Sequence, residues 1–266
     1  MHIFWQSLKD RKTYLIAFCI GAALFLWMYI ALFPSIRDQS ANLMKLMESY
    51  PESFLKAFNI ESLDYSNVEN YLSSENFSFI WPLLIIFLGI AIGAAICAGE
   101  IEKGTIELLL AQPISRIRIF FEKYFAGFFS ILIFDIVSIF AIIPFAAMYN
   151  VDYKLENFTT MAILGLLFAL TIFSISALFS CIFSDKGKVY FLSGGLLVVM
   201  YVMNILASLK ENIQDLKYFS FFYYFDASKA LNHNQIDILA WLVFGGTIIL
   251  CILVAVIIFN KRNITV

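Results

Sequence analysis

Charge is scarce in this chain. Only 14% of its 266 residues are Asp, Glu, Lys or Arg, against 61% hydrophobic. A soluble domain carries roughly 25% charged residues, so a water-covered globule is excluded, and the mean hydropathy of +0.83 agrees. Histidine is nearly absent. His2 and His233 lie far apart with no carboxylate–histidine spacing, so neither makes a metal ligand. The four cysteines, Cys19, Cys97, Cys181 and Cys251, sit inside apolar blocks without CxxC spacing. That pattern excludes a zinc site and an extracellular disulfide framework and leaves them as small packing residues. H-E-x-x-H, G-x-S-x-G and any pair of aspartates at membrane depth are also missing, which removes an intramembrane enzyme. The net charge of −2 decides nothing, because in a membrane protein the distribution of charge carries the information.

What the chain has is length of apolar sequence. Blocks about 20 residues long match a hydrocarbon core of about 30 Å. Six are expected to span, at about 14–33, 79–98, 119–148, 158–183, 189–208 and 236–259. The predicted class is an all-α integral membrane protein, a single polytopic domain over 1–266. The first block is too long for a signal-peptide core and has no A-x-A site after it, so it reads as an uncleaved membrane helix. The third exceeds what a bilayer requires, and Pro144, which cannot donate to the helical ladder, is the expected kink.

With the N-terminus inside, eleven of the 18 basic residues fall on the short inside segments and seven on the longer outside ones. The positive-inside rule therefore places both termini in the cytoplasm. Ile3, Phe4, Trp5 and Leu8 before Lys9, Arg11 and Lys12 predict a short interfacial helix ahead of the first span. The outside loop 34–78 holds seven acidic and three basic residues. Within it Leu43, Met44, Leu46 and Met47, then Phe54, Leu55 and Phe58, recur at helical spacing around Pro51, predicting a broken amphipathic cap. The run Tyr218 to Phe225 in the last outside loop predicts an aromatic interfacial anchor or a rim that touches substrate.

The informative segment runs from Gly99 to Arg116. On a helical wheel Glu100, Lys103, Gly104 and Glu107 share one face, with Ile101, Thr105, Leu108 and Leu109 opposite. The expectation is a helix over 100–112 along the membrane surface, polar side toward the cytoplasm. Gly104 weakens it by about 1 kcal/mol but leaves room for close approach by another protein. Glu102, near the apolar side, needs a local partner such as Arg116 or Arg118. Pro113 ends the helix and Ser115 caps the next. Gly99 and Gly104 have the glycine spacing of a P-loop, but Thr105 stands where the phosphate-binding lysine belongs. No nucleotide site is present in this chain.

The stretch Glu100-x-Glu102-x-Gly104-Thr105-x-Glu107-x-Leu109-Leu110-x-x-Pro113-Ile114-Ser115-Arg116, with Lys123 beyond, resembles the cytoplasmic loop between spans two and three of ABC-2 type transporter permeases. Tyr50 to Phe58 resembles that family's first outside loop, and Tyr224 to Lys229 its last. The resemblance implies that 100–112 is a coupling helix docking on a separate ATP-binding cassette ATPase. Glu100, Glu102, Gly104, Thr105, Glu107, Pro113 and Arg116 would then serve coupling, Thr105 and Glu107 by hydrogen bonds to that partner. It further implies a dimer with a second permease copy or paralogue, set in membrane lipid without nucleic acid, in a bacterial plasma membrane. This chain would bind no cofactor, ATP and Mg belonging to the ATPase. Export of a hydrophobic or amphipathic substrate is the expected activity; the alternative is a self-sufficient ion-coupled carrier or channel.

Asp135 bears on that alternative. It lies mid-span, where a charged carboxylate costs at least about 2.5 kcal/mol. Two readings stand: an ion or proton relay, or a structural side chain paired with Asn204, Ser174 or Ser176. Gly194-Gly195 and Gly245-Gly246 suit close helix packing or a dimer contact. Asn76-Phe-Ser and Asn157-Phe-Thr match the glycosylation pattern only by chance.

Overall fold

The computed structural model describes residues 2–40, 65–209 and 211–262. The expected cap around Pro51 and the Tyr50–Phe58 resemblance lie outside the described residues. Among the described residues every regular element is helical, and six helices are long and apolar enough to cross a membrane.

α1 runs unbroken from His2 to Asp38 over 37 residues, about 55 Å at 1.5 Å per residue. The separate interfacial helix predicted before the first span is therefore not a distinct element. The reason is a single buried stripe through both parts: Ile3, Ser7, Arg11, Leu15, Ala22, Leu26, Ile30 and Phe33 follow one another at steps of three, four or seven residues. Packing of that stripe on the third span keeps the helix one rod.

The second span, Val68–Ala94, begins earlier than its apolar block. It comprises α2 (Val68–Leu72), a π-helical stretch (Ser73–Ile80) and α3 (Trp81–Ala94). Pro82 has no N–H to return to Ser78, so the normal ladder cannot pass this point. The Trp81 N–H bonds Asn76 O, five residues back. Two short helices follow, α4 (Ala98–Glu102) and α5 (Ile106–Leu110). The third span divides into α6 (Arg116–Phe140) and α7 (Ile142–Tyr149). The break at Ala141 lies on the N-terminal side of Pro144, as its ring and missing donor require.

α8 (Leu155–Ile182) is the centre of the bundle, packed by α3, α6 and α12 (Ile238–Lys261). α9 (Lys186–Leu209) lies more peripherally. A 3₁₀ segment (Glu211–Phe219), α10 (Phe221–Tyr224) and α11 (Ala227–His233) cross the far end. There the aromatic run divides. Tyr218 and Phe219 are exposed, whereas Phe221 and Phe225 plug the bundle. The rings of Phe225 and Trp81 stack at 5.8 Å and 6°, and Phe225 meets Phe168 at 4.5 Å. Half the run is thus core and not interfacial anchor. Both glycosylation-like asparagines are buried, Asn157 donating to Leu231 O at 2.5 Å.

Candidate functional site

The chain leaves α3 through a turn that would orphan several backbone groups. Ser180 of α8 repairs it. Its hydroxyl accepts from the N–H groups of Cys97 (2.9 Å) and Ala98 (2.8 Å) and donates to Ala94 O (3.0 Å). Lys123 of α6 donates to Ile96 O at 3.3 Å. The root of the segment is thereby fixed to two neighbouring spans.

Beyond the root, the continuous helix expected over 100–112 is broken. Gly104 adopts φ +69°, which stops α4, and α5 starts afresh after Thr105. A side chain at that φ would strain the backbone, so the glycine makes the turn. The result is two short helices joined by a tight turn, a hairpin-like segment. Glu100 closes it from inside: one carboxylate oxygen pairs with Lys123 Nζ at 2.5 Å and the other accepts from the Thr105 hydroxyl. Burial pushes the Glu100 carboxyl up, but the adjacent Lys123 charge and the bonds from Lys123 and Thr105 outweigh it and hold the pKa below the ordinary carboxylate value. Thr105, expected to reach toward a partner protein, is engaged within the chain.

The other polar residues tie different helices. Glu102 does not pair with Arg116 or Arg118. It accepts from the Lys186 N–H at 3.2 Å, and its other oxygen lies 3.9 Å from Lys186 Nζ, at the start of α9. Arg118 instead pairs with Glu122 at 3.0 Å, one turn along α6. Arg116 donates to Arg262 O (2.6 Å) and Phe259 O (3.4 Å), satisfying carbonyls at the end of α12. Arg262 in turn donates to Cys181 O (2.8 Å) at the end of α8 and to Ser184 Oγ (2.5 Å). Pro113 follows the end of α5, and Ser115 caps α6, accepting from the Arg118 N–H at 3.3 Å.

With those groups engaged, one face of the hairpin is left. In α5, Ile106 is buried and Leu109 packs on the core. The outward residues are Glu107 and Leu108 of α5 and Ala111 at its C-terminal end, with Gly104 exposed at the turn before it. Leu108 is 71% exposed. The wheel had placed it toward the membrane, because it assumed one helix through Gly104; the break resets the phase. An exposed leucine between a glutamate and a glycine is the signal that was missed.

At mid-bundle, Asp135 is 2% exposed and its Oδ1 has no hydrogen-bond partner. None of the expected partners reaches it. Ser174 pairs with Tyr124 at 2.6 Å, Ser176 donates to Ile90 O at 2.9 Å, and Asn204 makes no bond to the carboxyl among the described residues. Its surroundings are the Trp81 ring and Gly165 of α8, where an added Cβ would lie 2.9 Å from Asp135 Oδ1 and 2.8 Å from Trp81 Cη2. Trp81 Nε1 donates to Ser138 Oγ at 2.8 Å, one turn along α6.

On the outer surface, an apolar groove of about 130 Å³ runs between α3 and α9, lined by Phe79, Pro82, Leu83, Leu197, Tyr201 and Phe222. A Cβ added at Gly194, Gly195, Gly245 or Gly246 would meet nothing within 4 Å. These glycines do not serve packing inside the chain.

No cluster of metal-ligating side chains occurs among the described residues. Six apolar helices around a closed core, joined at one end by a polar hairpin, define a multi-pass membrane protein. The family model for ABC-2 family transporter protein matches residues 1–263, and the chain belongs to that family. It is therefore a permease of an ABC transporter, of a family whose members are in general non-catalytic subunits working with an ATP-binding cassette subunit. No curated protein matches the chain.

Proposed function

We propose that this permease is the membrane half of an exporter driven by a separate ATPase chain that docks on the outward side of α5. One observation carries the reading: Leu108, 71% exposed beside Glu107, on a hairpin whose Glu100, Glu102, Thr105 and Arg116 side chains are bound within the chain. An apolar knob flanked by an acidic group and a glycine suits insertion into a cleft of a partner. ATP and Mg are held by that partner. The dense basic charge of the same end supports a cytoplasmic hairpin and cytoplasmic termini. A second copy or paralogue seats on the groove between α3 and α9, and Gly194 and Gly195 of α9, one turn before the groove-lining Leu197 and Val198, leave room for close approach. The substrate path runs between the two copies, its apolar lining suiting a hydrophobic or amphipathic cargo. A bacterial plasma membrane fits the division of permease and ATPase into separate chains.

The test is gentle extraction of the tagged chain and identification of what co-purifies. Leu108→Asp and Glu107→Arg are expected to remove a stoichiometric ATPase while shifting permease stability by no more than about 0.5 kcal/mol. Full retention of the ATPase by both variants would sink the docking face. Activity of the ATPase-free chain in liposomes without ATP would replace the permease reading by an ion-coupled carrier.

A further inference from the structure

α9 is lightly fastened along its length. Its buried residues, Val189, Ser193, Leu197, Asn204 and Ala207, form one narrow stripe at steps of three, four or seven residues. Phe191, Val198, Val199 and Val202 face outward. Ser193 Oγ is buried without a hydrogen-bond partner, and the Ser208 hydroxyl donates to Asn204 O within the same helix. Among the described residues, the one hydrogen bond between α9 and another helix is made with the hairpin: Glu102 Oε2 accepts from the Lys186 N–H at 3.2 Å. Glu102 is the last residue of α4 and Lys186 the first of α9. The carboxylate thus serves one of the N–H groups that a helix start leaves open, at the positive end of its dipole. Its other oxygen, 3.9 Å from Lys186 Nζ at a half-exposed site, adds little. A second contact lies beside the first. Val189 packs with Ala98, the first residue of α4, and with Ala94 in a small apolar cluster apart from the main core. Both ends of α4 therefore touch the start of α9.

We propose that Glu102 is the clip that couples the hairpin to α9, so that α4, moved by the ATPase, carries the first turn of α9 with it and tilts that span against α3. This deepens the docking reading and rests on it. Ser180 anchors the root of the hairpin to α8 and Lys123 anchors it to α6. A push on Leu108 consequently rocks α4 about its fixed beginning and displaces its far end, Glu102, the most. A helix held by one apolar stripe, without bonds to its neighbours along that stripe, can slide or tilt as a unit. Leu197 and Tyr201 lie about 17 and 23 Å along the axis from Lys186. Both line the groove against α3, and Tyr201 meets the Phe222 ring edge-on at 5.0 Å. The tilt changes the width of that groove, on the face where the two copies meet. Glu102 acts through α9 and is a positioning residue.

The test uses the purified permease–ATPase complex in lipid nanodiscs. Spin labels are placed on α9 and at the end of α12, at exposed positions clear of the groove, as Lys188→Cys and Lys261→Cys. The background carries Cys19→Ser; Cys97, Cys181 and Cys251 are buried. Labelled permease is diluted with unlabelled permease so that separations within one chain are read, without nucleotide and with ATP trapped by vanadate. The parent should shift by at least about 2 Å on trapping, the scale of helix shifts in switching proteins. Glu102→Ala should keep stoichiometric ATPase, lose the shift, and change ATP hydrolysis by at least about fivefold, the lower end of a typical coupling. Glu102→Gln, whose amide oxygen still accepts, and Lys186→Met, which retains the backbone N–H, should shift as the parent does and show that the joint folds. A parent without a shift, or a shift in Glu102→Ala equal to the parent's, overturns the clip and leaves the docking reading intact. Loss of the shift in Lys186→Met also overturns it, because the side-chain pair would then carry the motion. Loss of the ATPase from Glu102→Ala overturns it by assigning Glu102 to the docking face. Absence of any ATPase from the parent preparation overturns both readings.

Discussion

The middle of the bundle and its basic end are held by different physics. Around Trp81 the contacts are aromatic and close: Phe225 stacked at 5.8 Å, Phe134 at 6.2 Å, and Gly165 of α8 giving up its side chain to admit the indole. Such packing is insensitive to small changes of charge but intolerant of lost volume. At the basic end, Glu100, Glu102, Arg116 and Arg262 each fasten a different helix by one or two directional bonds. Bonds of that kind can be exchanged for equivalents without opening the core. The comparison teaches where motion is admissible: the middle transmits a displacement as a rigid body, and the end has joints at which one can begin.

The sharpest way to break that contrast is to remove volume from the middle. Trp81→Ala deletes a fully buried ring together with its stack on Phe225 and its bond to Ser138. A loss of about 3–5 kcal/mol is expected, read as a large fall in thermal midpoint of the detergent-purified chain. An unchanged midpoint would mean that the aromatic middle is not the rigid part.

A smaller effect is expected where the end is touched. Arg116→Gln removes a strap between α6 and the last carbonyls of α12 at a half-exposed site. The global cost should be about 1 kcal/mol, while amide exchange over the last turn of α12 quickens selectively. Uniform destabilisation of the whole bundle would show that the strap belongs to the core and not to a joint.

How much of this was legible in the sequence follows the same division. Six spans were readable, because apolar length is a property of local sequence. The kink before Pro144 was readable too, since it follows from one missing donor. The unbroken α1 was not, because a helix continues or stops according to what packs beside it. Arg11 and Lys123 counted only as positive-inside markers, and burial against α6 and the hairpin root is a tertiary fact. The hairpin was half legible. Glu100 to Arg116 stood out as a polar segment, but the wheel ran through Gly104 as though it were helical. Gly104-Thr105 is the local signature that should have divided it. Asp135 was recognisable as an anomaly, yet its partners were guessed among residues that fold elsewhere.

That anomaly supplies the smallest expected effect. Asp135→Asn keeps the shape of a side chain wedged between Trp81 and Gly165 while removing its capacity to ionise. Since Oδ1 makes no hydrogen bond, the amide forfeits no bond that the structure contains. The stability change should stay within about 1 kcal/mol, a midpoint shift under about 4 °C for a chain of this size. A structural carboxyl with a necessary partner would lose more. ATP hydrolysis by the permease–ATPase complex should also be unchanged, because a lone carboxyl without a second titratable group beside it makes no relay. A steep loss of hydrolysis at an unchanged midpoint would give the opposite result. It would assign the Asp135 carboxyl to ion movement, and the rigid middle of the bundle would then contain a working site as well as the end.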